Sequence, residues 1–133
     1  KKIADELQRI HGPGSVVTYF GDTTDEQRQQ AIHDFQFGDA RFFVANPQTA
    51  GFGLTLTAAT NVIYYANDFD LATRMQSEDR CHRIGQNNRV TYVDLITPGS
   101  IDQRIVRALR DKIDLSAQAL GEEARKWLEV SSP

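Results

Sequence analysis

A regular alternation of short apolar runs with longer amphipathic segments constrains the fold of this chain more than any other feature. Four runs have the length and composition of buried strands: residues 15–20, 41–45, 61–66 and 89–96. The other segments carry apolar residues at helical spacing: residues 1–10, 25–37, 71–84 and 101–119. Strands that alternate with helices in this way predict an α/β fold, with a parallel sheet flanked by helices.

Residues at the ends of the predicted helices agree with this assignment. Thr24 begins a Thr-Asp-Glu-Gln sequence that is typical of a capping box, with Gln27 at the third helical position. Ser100 is a suitable N-cap for the long helix that follows it. Gly121 is expected to end that helix.

The length of 133 residues fits one compact domain. We predict that the domain spans residues 1–119 and that residues 120–133 form a helical extension. Within the extension, residues 122–130 are expected to form a short helix that carries Trp127 as a packing residue.

Composition excludes several classes of protein. Hydrophobic residues make up 40% of the chain and charged residues 25%, which is ordinary for a globular domain and argues against disorder. No apolar run approaches the roughly 18–20 residues that cross a bilayer, so no membrane partner is expected. Cys81 is the only cysteine, so the chain can form no internal disulfide, and a reducing compartment is the default. The net charge of −3 counts against a simple basic nucleic-acid-binding module.

Ligands of parallel α/β sheets bind at the carboxyl ends of the strands, which draws attention to two loops. Residues 46–53 follow the second strand and include Gly51 and Gly53, which would let a ligand approach the backbone closely. Residues 66–70 follow the third strand. By itself the glycine pair is a weak signal, because a plain turn from strand to helix has the same composition.

The segment 76–86, with the sequence QSEDRCHRIGQ, carries the strongest chemical signal. If it is helical, Gln76, Arg80 and Arg83 share one face. Two arginines on a rigid face could neutralise the charge that develops on a transferred phosphoryl group, which is the role of an arginine finger. The alternative is a solvated polar face with ordinary ion pairs, and spacing alone favours that alternative.

Some motifs that an independent ATPase of the phosphate-loop class needs are missing. The chain has no G-x-x-x-x-G-K-[ST] sequence and no apolar strand that ends in an Asp-Glu pair. We therefore expect that it does not hydrolyse ATP by itself. The three histidines have no ligand-like spacing with Cys81, so no metal site is predicted.

Several segments together resemble a known family. These are residues 76–86, residues 49–56 (TAGFGLTL), residues 19–24 (YFGDTT) with the helix behind them, and residues 91–96 with 100–105. In this order and spacing they are similar to the sixth, fifth and fourth motifs and the closing strand and helix of the second RecA-like lobe of superfamily two motors. The ending Arg-Ile-Gly-Gln resembles the Swi/Snf-type branch in particular. The resemblance runs from about residue 3 to about residue 119.

The resemblance implies a fold, a reaction and a set of roles. The fold would be a three-layer RecA-like parallel sheet flanked by helices, without the lobe's usual first strand. Arg80 and Arg83 would be arginine fingers that reach ATP and Mg²⁺ held by an N-terminal RecA-like lobe, with translocation on double-stranded DNA as the usual outcome. The remaining implied sites comprise nucleotide contacts by Gln76, Asp79, Gly51 and Gly53, and DNA contacts by Gly21, Thr24 and Thr49.

The sequence departs from the family at one place. Family members often show an Asp and then Trp-Asn-Pro before the sixth motif, where this chain has Ala66, Phe69, Asp70 and Leu71. That pattern resembles divergent phage or bacterial members and puts nucleosome remodelling in doubt. A cytoplasmic location is expected in that case, and a nuclear one if the source is eukaryotic. Two alternatives stay open: an inactive binding or regulatory module with the same fold, and an unrelated α/β nucleotide-binding domain.

Overall fold

The computed structural model describes residues 1–49, 54–67 and 70–120, and these contain four helices and four strands. In chain order the elements are α1 (Lys2–His11), β1 (Val16–Tyr19), α2 (Asp25–Phe37), β2 (Phe42–Ala45), β3 (Asn61–Tyr64), α3 (Leu71–Asp79), β4 (Thr91–Asp94) and α4 (Ile101–Leu120). The predicted order of elements is confirmed, although every strand is shorter than its apolar run. The predicted helix over residues 122–130, with Trp127, lies outside the described residues.

The strands form two parallel pairs. In the first pair β1 lies beside β2, with Val16 opposite Phe42 and Tyr19 opposite Ala45. In the second pair β3 lies beside β4 in the same orientation. Within the described residues, no strand of one pair is hydrogen-bonded to a strand of the other pair. The expected parallel α/β architecture is therefore confirmed, while the strands are hydrogen-bonded as two pairs.

One core connects the two strand pairs. Its centre is the buried cluster of Leu56, Ala59, Cys81 and Val90. Three aromatic or aliphatic side chains from different strands pack against that cluster: Phe43 of β2, Val62 of β3 and Tyr92 of β4. Burial raises the pKa of the Cys81 thiol to about 11, so this side chain stays protonated and behaves as a small apolar residue.

Residues 54–59 have no regular helix or strand, yet three of them, Leu54, Leu56 and Ala59, are buried. Leu54 is 2% exposed and forms a second cluster with Tyr19 of β1, beside Phe43 and Ala45. Leu54 and Leu56 of the predicted fifth motif therefore lie in the core, between the two strand pairs.

Local hydrogen bonds explain where the helices begin. The Thr24 hydroxyl accepts the Gln27 N–H at 3.3 Å, and the Gln27 side chain accepts the Thr24 N–H at 3.0 Å. This is the predicted capping box at the start of α2. Ser100 accepts the Asp102 N–H at 3.1 Å and so caps α4, also as predicted. Among the described residues, no helix combines the length and the hydropathy that crossing a membrane requires.

Candidate functional site

The arginines of the predicted sixth motif lie beyond the end of a helix. The prediction of a helix to residue 84 was wrong, because α3 ends at Asp79. Tertiary contacts take over the backbone groups that would extend it. The Arg80 carbonyl accepts the Leu56 N–H at 2.9 Å, and the Cys81 carbonyl accepts the Gln86 side-chain amide at 3.0 Å. We call residues 80–86 the arginine turn.

The end of α3 changes how the predicted site residues are arranged. Gln76 is exposed on α3 itself, whereas Arg80 and Arg83 belong to the arginine turn. The expected helical face that joins these three residues is therefore absent from the structure. Arg80 is also only 8% exposed, while the Arg83 side chain is 39% exposed. The two arginines thus lie in different environments.

Arg83 lies against Leu54 and Thr55. Its Nη1 is 3.3 Å from the Leu54 carbonyl oxygen and 3.4 Å from the Thr55 hydroxyl oxygen. Its Nε is 3.6 Å from a carboxylate oxygen of Asp79, which is 61% exposed. An exposed ion pair of this kind is worth little in water. Arg83 is therefore oriented by the backbone and can exchange its carboxylate partner for another anion.

An open depression lies beside this arginine. It is lined by Thr55, Asp79, His82, Arg83 and Ile84. Ile84 is fully exposed there. The structure thus brings the predicted residues Asp79 and Arg83 together at one surface and adds Thr55, which sequence reasoning quoted only as part of the fifth motif.

A second group of predicted residues meets at the carboxyl ends of β1 and β2. A Cβ atom added to Gly21 would lie 3.9 Å from the Thr49 hydroxyl oxygen, so the two residues are neighbours. Thr24 lies in the same connection from β1 to α2 and is exposed, with its hydroxyl engaged in the capping box. Gly21 and Thr24 belong to the predicted fourth motif and Thr49 to the fifth, and the fold brings the two motifs together at one edge.

Arg28 of α2 borders that edge. One of its terminal nitrogens is 3.4 Å from the Gly21 carbonyl oxygen, and its guanidinium lies 5.3 Å from the centre of the Tyr19 ring. Arg28 entered the sequence analysis only within the helix behind the predicted fourth motif. Its spacing after the Gly-Asp-Thr-Thr loop was the signal that could have assigned it a contact there.

Leu54 connects the two groups of residues. Its side chain packs against Tyr19, which ends β1, and its carbonyl accepts a hydrogen bond from the Arg83 guanidinium. The predicted glycines Gly51 and Gly53 lie in the intervening segment 50–53, outside the described residues.

The structure also contains a buried charged network that the sequence analysis missed. Arg74 of α3 is 11% exposed and pairs with Glu78 of α3 and Asp94 of β4. Burial works to lower the pKa of Arg74, but hydrogen bonds to Asp94 and Glu78 outweigh it and raise that pKa. Burial raises the pKa of Glu78 despite its ion pair. The helical spacing of Arg74 and Glu78 was visible in the sequence, whereas the partnership with Asp94 was not.

Comparisons with known proteins support the family resemblance. The helicase conserved C-terminal domain family matches residues 1–85. The chain is 36% identical over 107 residues to the chromatin-remodeling ATPase INO80 of Mycosarcoma maydis, covering 80% of this chain and 6% of that protein. It is 38% identical over 87 residues to the human lymphoid-specific helicase, covering 65% of this chain and 10% of that protein.

A solved structure is also similar to this chain. The C-terminal part of the Fun30 ATPase domain superposes with a TM-score of 0.72 at 30% identity, covering 80% of this chain and 34% of that chain. The chain spans only 5–10% of the length of the curated relatives it matches.

Proposed function

This chain belongs to the helicase C-terminal domain family, in the Swi/Snf-type branch of the superfamily two ATPases, and we propose that it is the C-terminal motor lobe of an ATP-dependent DNA translocase. In this proposal the N-terminal lobe of the parent protein holds ATP with Mg²⁺. The present chain supplies arginine to the phosphates and part of the track for double-stranded DNA. The observation that carries the proposal is the contact of Leu54 with Arg83 on one side and Tyr19 on the other.

On the nucleotide side, we assign the direct phosphate contact to Arg83. Its planar fork matches phosphate oxygens, and it carries a permanent charge. The Leu54 carbonyl and the Thr55 hydroxyl orient it while leaving the side chain 39% exposed. Asp79 would release Arg83 when a phosphate with higher charge arrives. Because Arg80 is buried in this lobe, we propose that it contributes only when the two lobes close on ATP.

On the DNA side, we propose that the edge formed by Gly21, Thr24 and Thr49 contacts the phosphate backbone. Hydroxyl groups and backbone N–H groups make many of the positioning contacts to DNA phosphates. Arg28 adds a positive charge next to Gly21. The net charge of −3 means that the whole lobe adds little long-range attraction. Binding by the lobe alone is therefore expected to be weak and to fall with salt.

The segment from Thr49 to Thr55 would couple the two sides. Its first residue lies beside Gly21, and its last residue lies beside Arg83. A shift of Thr49 and Thr55 on lobe closure would move both contacts at once. Repeated closure on ATP and opening after hydrolysis would then step the motor along the duplex.

The biological setting is a narrower question. Two of the relatives are named as a chromatin-remodeling ATPase and a helicase. The departures at Ala66, Phe69, Asp70 and Leu71 still separate this chain from the usual pattern of the branch. We therefore propose translocation on double-stranded DNA and leave nucleosomes out of the proposal. The location would be the cytoplasm in a bacterial or phage-infected cell and the nucleus in a eukaryotic one.

The test is DNA-stimulated ATP hydrolysis by the full-length parent. We expect Arg83→Ala to lower turnover by about 10³-fold, which is the range of arginine fingers, and Arg80→Ala to lower it as well. Arg9→Ala is the matched control, because Arg9 is an exposed arginine of α1 that pairs with Glu6 of the same helix. Unchanged turnover in both test variants would refute the assignment.

A second comparison tests whether ATP hydrolysis requires the N-terminal lobe. The present chain alone is expected to show no ATP hydrolysis, because it lacks a phosphate loop. Hydrolysis by the folded chain alone would contradict this account. A folded parent that shows no hydrolysis even with DNA would instead favour an inactive binding or regulatory module.

A further inference from the structure

Arg74 is held by four different parts of the fold. Its Nε donates to Glu78 on the same helix, and its Nη1 donates to Asp94 of β4 at 2.6 Å. The same Nη1 is 2.8 Å from the side-chain oxygen of Asn67, in the loop after β3. The guanidinium also lies 3.6 Å from the centre of the Tyr64 ring at the end of β3.

The planar guanidinium of Arg74 sets the direction in which its Nε points towards Glu78. Nη1 and Nη2 donate to the two carboxylate oxygens of Asp94, at 2.6 and 3.2 Å. This bidentate pair fixes the plane of the guanidinium, which leaves Nε directed at Glu78. Asn67 donates to Asp94 in turn, at 2.8 Å. The side chain of Glu78 therefore has a set position relative to β4.

Glu78 is the residue from which the arginine turn starts. Its carbonyl accepts the N–H groups of Cys81 and His82, each at 3.1 Å. The Tyr92 hydroxyl donates to the same carbonyl at 3.2 Å. Glu78 itself is 2% exposed. Both ends of Glu78 are thus fixed, the side chain by Arg74 and the backbone by the first bonds of the turn.

We propose that Arg74 is a positioning residue for the arginine turn: it ties the last turn of α3 to β4 and so sets where Arg83 meets the nucleotide. The inference rests on the proposed function, because it needs Arg83 to act on ATP. In this proposal Arg74 does not itself contact the nucleotide. Its contacts run inward to Asp94, Asn67 and Glu78, while Arg83 lies at the surface.

A lysine at position 74 would keep the positive charge and lose the planar arrangement of donors that contacts Asp94 and Glu78. A single ammonium group has no planar fork, so it cannot hold both oxygens of Asp94 and also reach Glu78 in the same plane. The ionic neutralisation of the buried carboxylates is retained in Arg74→Lys. The variant therefore separates the position of the turn from the presence of a cation.

The experiment compares the full-length parent with Arg74→Lys, Arg83→Ala and the double variant in DNA-stimulated ATP hydrolysis. Single-turnover measurements are used for the slow variants. We expect Arg74→Lys to lower kcat by about 10–100-fold, as small displacements of catalytic groups do, with the KM for ATP within about twofold. In the Arg83→Ala background the same lysine substitution should cause no further loss, because the group that it positions is gone. Arg9→Lys is the matched control and should leave kcat unchanged.

A milder variant tests the same role in case Arg74→Lys impairs folding. Tyr92→Phe removes only the hydroxyl that donates to the Glu78 carbonyl and keeps the ring in the core. We expect it to lower kcat by about 2–10-fold, the equivalent of one hydrogen bond, and again to have no effect in the Arg83→Ala background.

The outcomes separate the positioning role from the proposed function. If Arg83→Ala is slow and Arg74→Lys causes the same fractional loss in both backgrounds, Arg74 acts only through stability and the positioning role is overturned. Full activity of Arg74→Lys would overturn it as well. If Arg83→Ala itself keeps full turnover, the proposed function fails together with this inference.

Discussion

Gln86 closes the arginine turn with one side chain. Its amide nitrogen donates to the carbonyls of Ala59 and Cys81, each at 3.0 Å. Its amide oxygen accepts the Asn88 N–H at 2.9 Å. Gln86→Ala removes all three hydrogen bonds and leaves two carbonyls without this donor.

The expected loss follows from these three bonds. Each typical hydrogen bond contributes about 0.5–1.5 kcal/mol to stability. Because Gln86 is half-buried, water can reach part of the site and the lower half of that range applies. We expect Gln86→Ala to lower the free energy of unfolding by about 2 kcal/mol. Gln86→Glu should cost at least as much at neutral pH, because a carboxylate has no hydrogen to donate to either carbonyl.

Urea unfolding of the chain, followed by circular dichroism, measures this loss. With a slope of about 2 kcal/mol per molar urea, the midpoint should fall by about 1 M without a change in slope. Part of the loss in Gln86→Glu should return below about pH 4, where a protonated carboxyl can donate once. Gln29→Ala is the control, because Gln29 is exposed on α2, and it should change stability by less than about 0.5 kcal/mol. A Gln86→Ala loss as small as that of the control would refute the reasoning.

Three further predictions concern other parts of the fold. Thr24→Ala removes the hydroxyl of the capping box and should lower the free energy of unfolding in urea by about 1 kcal/mol. Thr24→Ser keeps the acceptor and should lower it less. Equal losses in the two variants would contradict the capping role. Val90→Ala truncates a side chain that is 2% exposed and should cost about 2–3 kcal/mol, whereas a loss below about 0.5 kcal/mol would show that the site is not tightly packed. Burial works to raise the pKa of Asp94, but Arg74 outweighs this effect and lowers the pKa below the ordinary value of 3.8. The ionised carboxylate therefore stabilises the fold above pH 3.8. This contribution is lost as the pH falls through the pKa of Asp94 in the folded state. The stability gap between wild type and Asp94→Asn, measured by urea unfolding across pH, should therefore be largest near neutral pH and narrow below pH 3.8, and a gap that stayed constant would argue against an ionic role.

The amino-acid sequence was sufficient to predict the elements of the fold and their order. Strand and helix periodicities depend on residues a few positions apart, so α2 and α4 were placed with nearly their observed bounds. The capping box of Thr24 was equally visible, because all of its atoms belong to four consecutive residues. The family resemblance was also a property of local motifs, and the comparisons confirm it. The roles of the individual site residues stay predictions.

The end of α3 could not be read from the sequence. Residues 80–84 have no proline or glycine to stop a helix, and the periodicity therefore ran on to Ile84. The Arg80 carbonyl, which would accept the Ile84 N–H in a longer helix, instead accepts the Leu56 N–H. Leu56 lies 24 positions before Arg80 in the chain, and no local pattern records such a partner.

The chain itself determined which chemical groups are present and which segments become strands or helices, because those depend on side-chain type and short-range spacing. Only the tertiary structure decided that Arg80 is buried and Arg83 exposed, and that Gly21 meets Thr49. The same is true of the pairing of Arg74 with Asp94 across 20 positions. Burial and long-range hydrogen bonds are set by how separate elements pack, and they determine which of the two neighbouring arginines is exposed at the surface of this lobe.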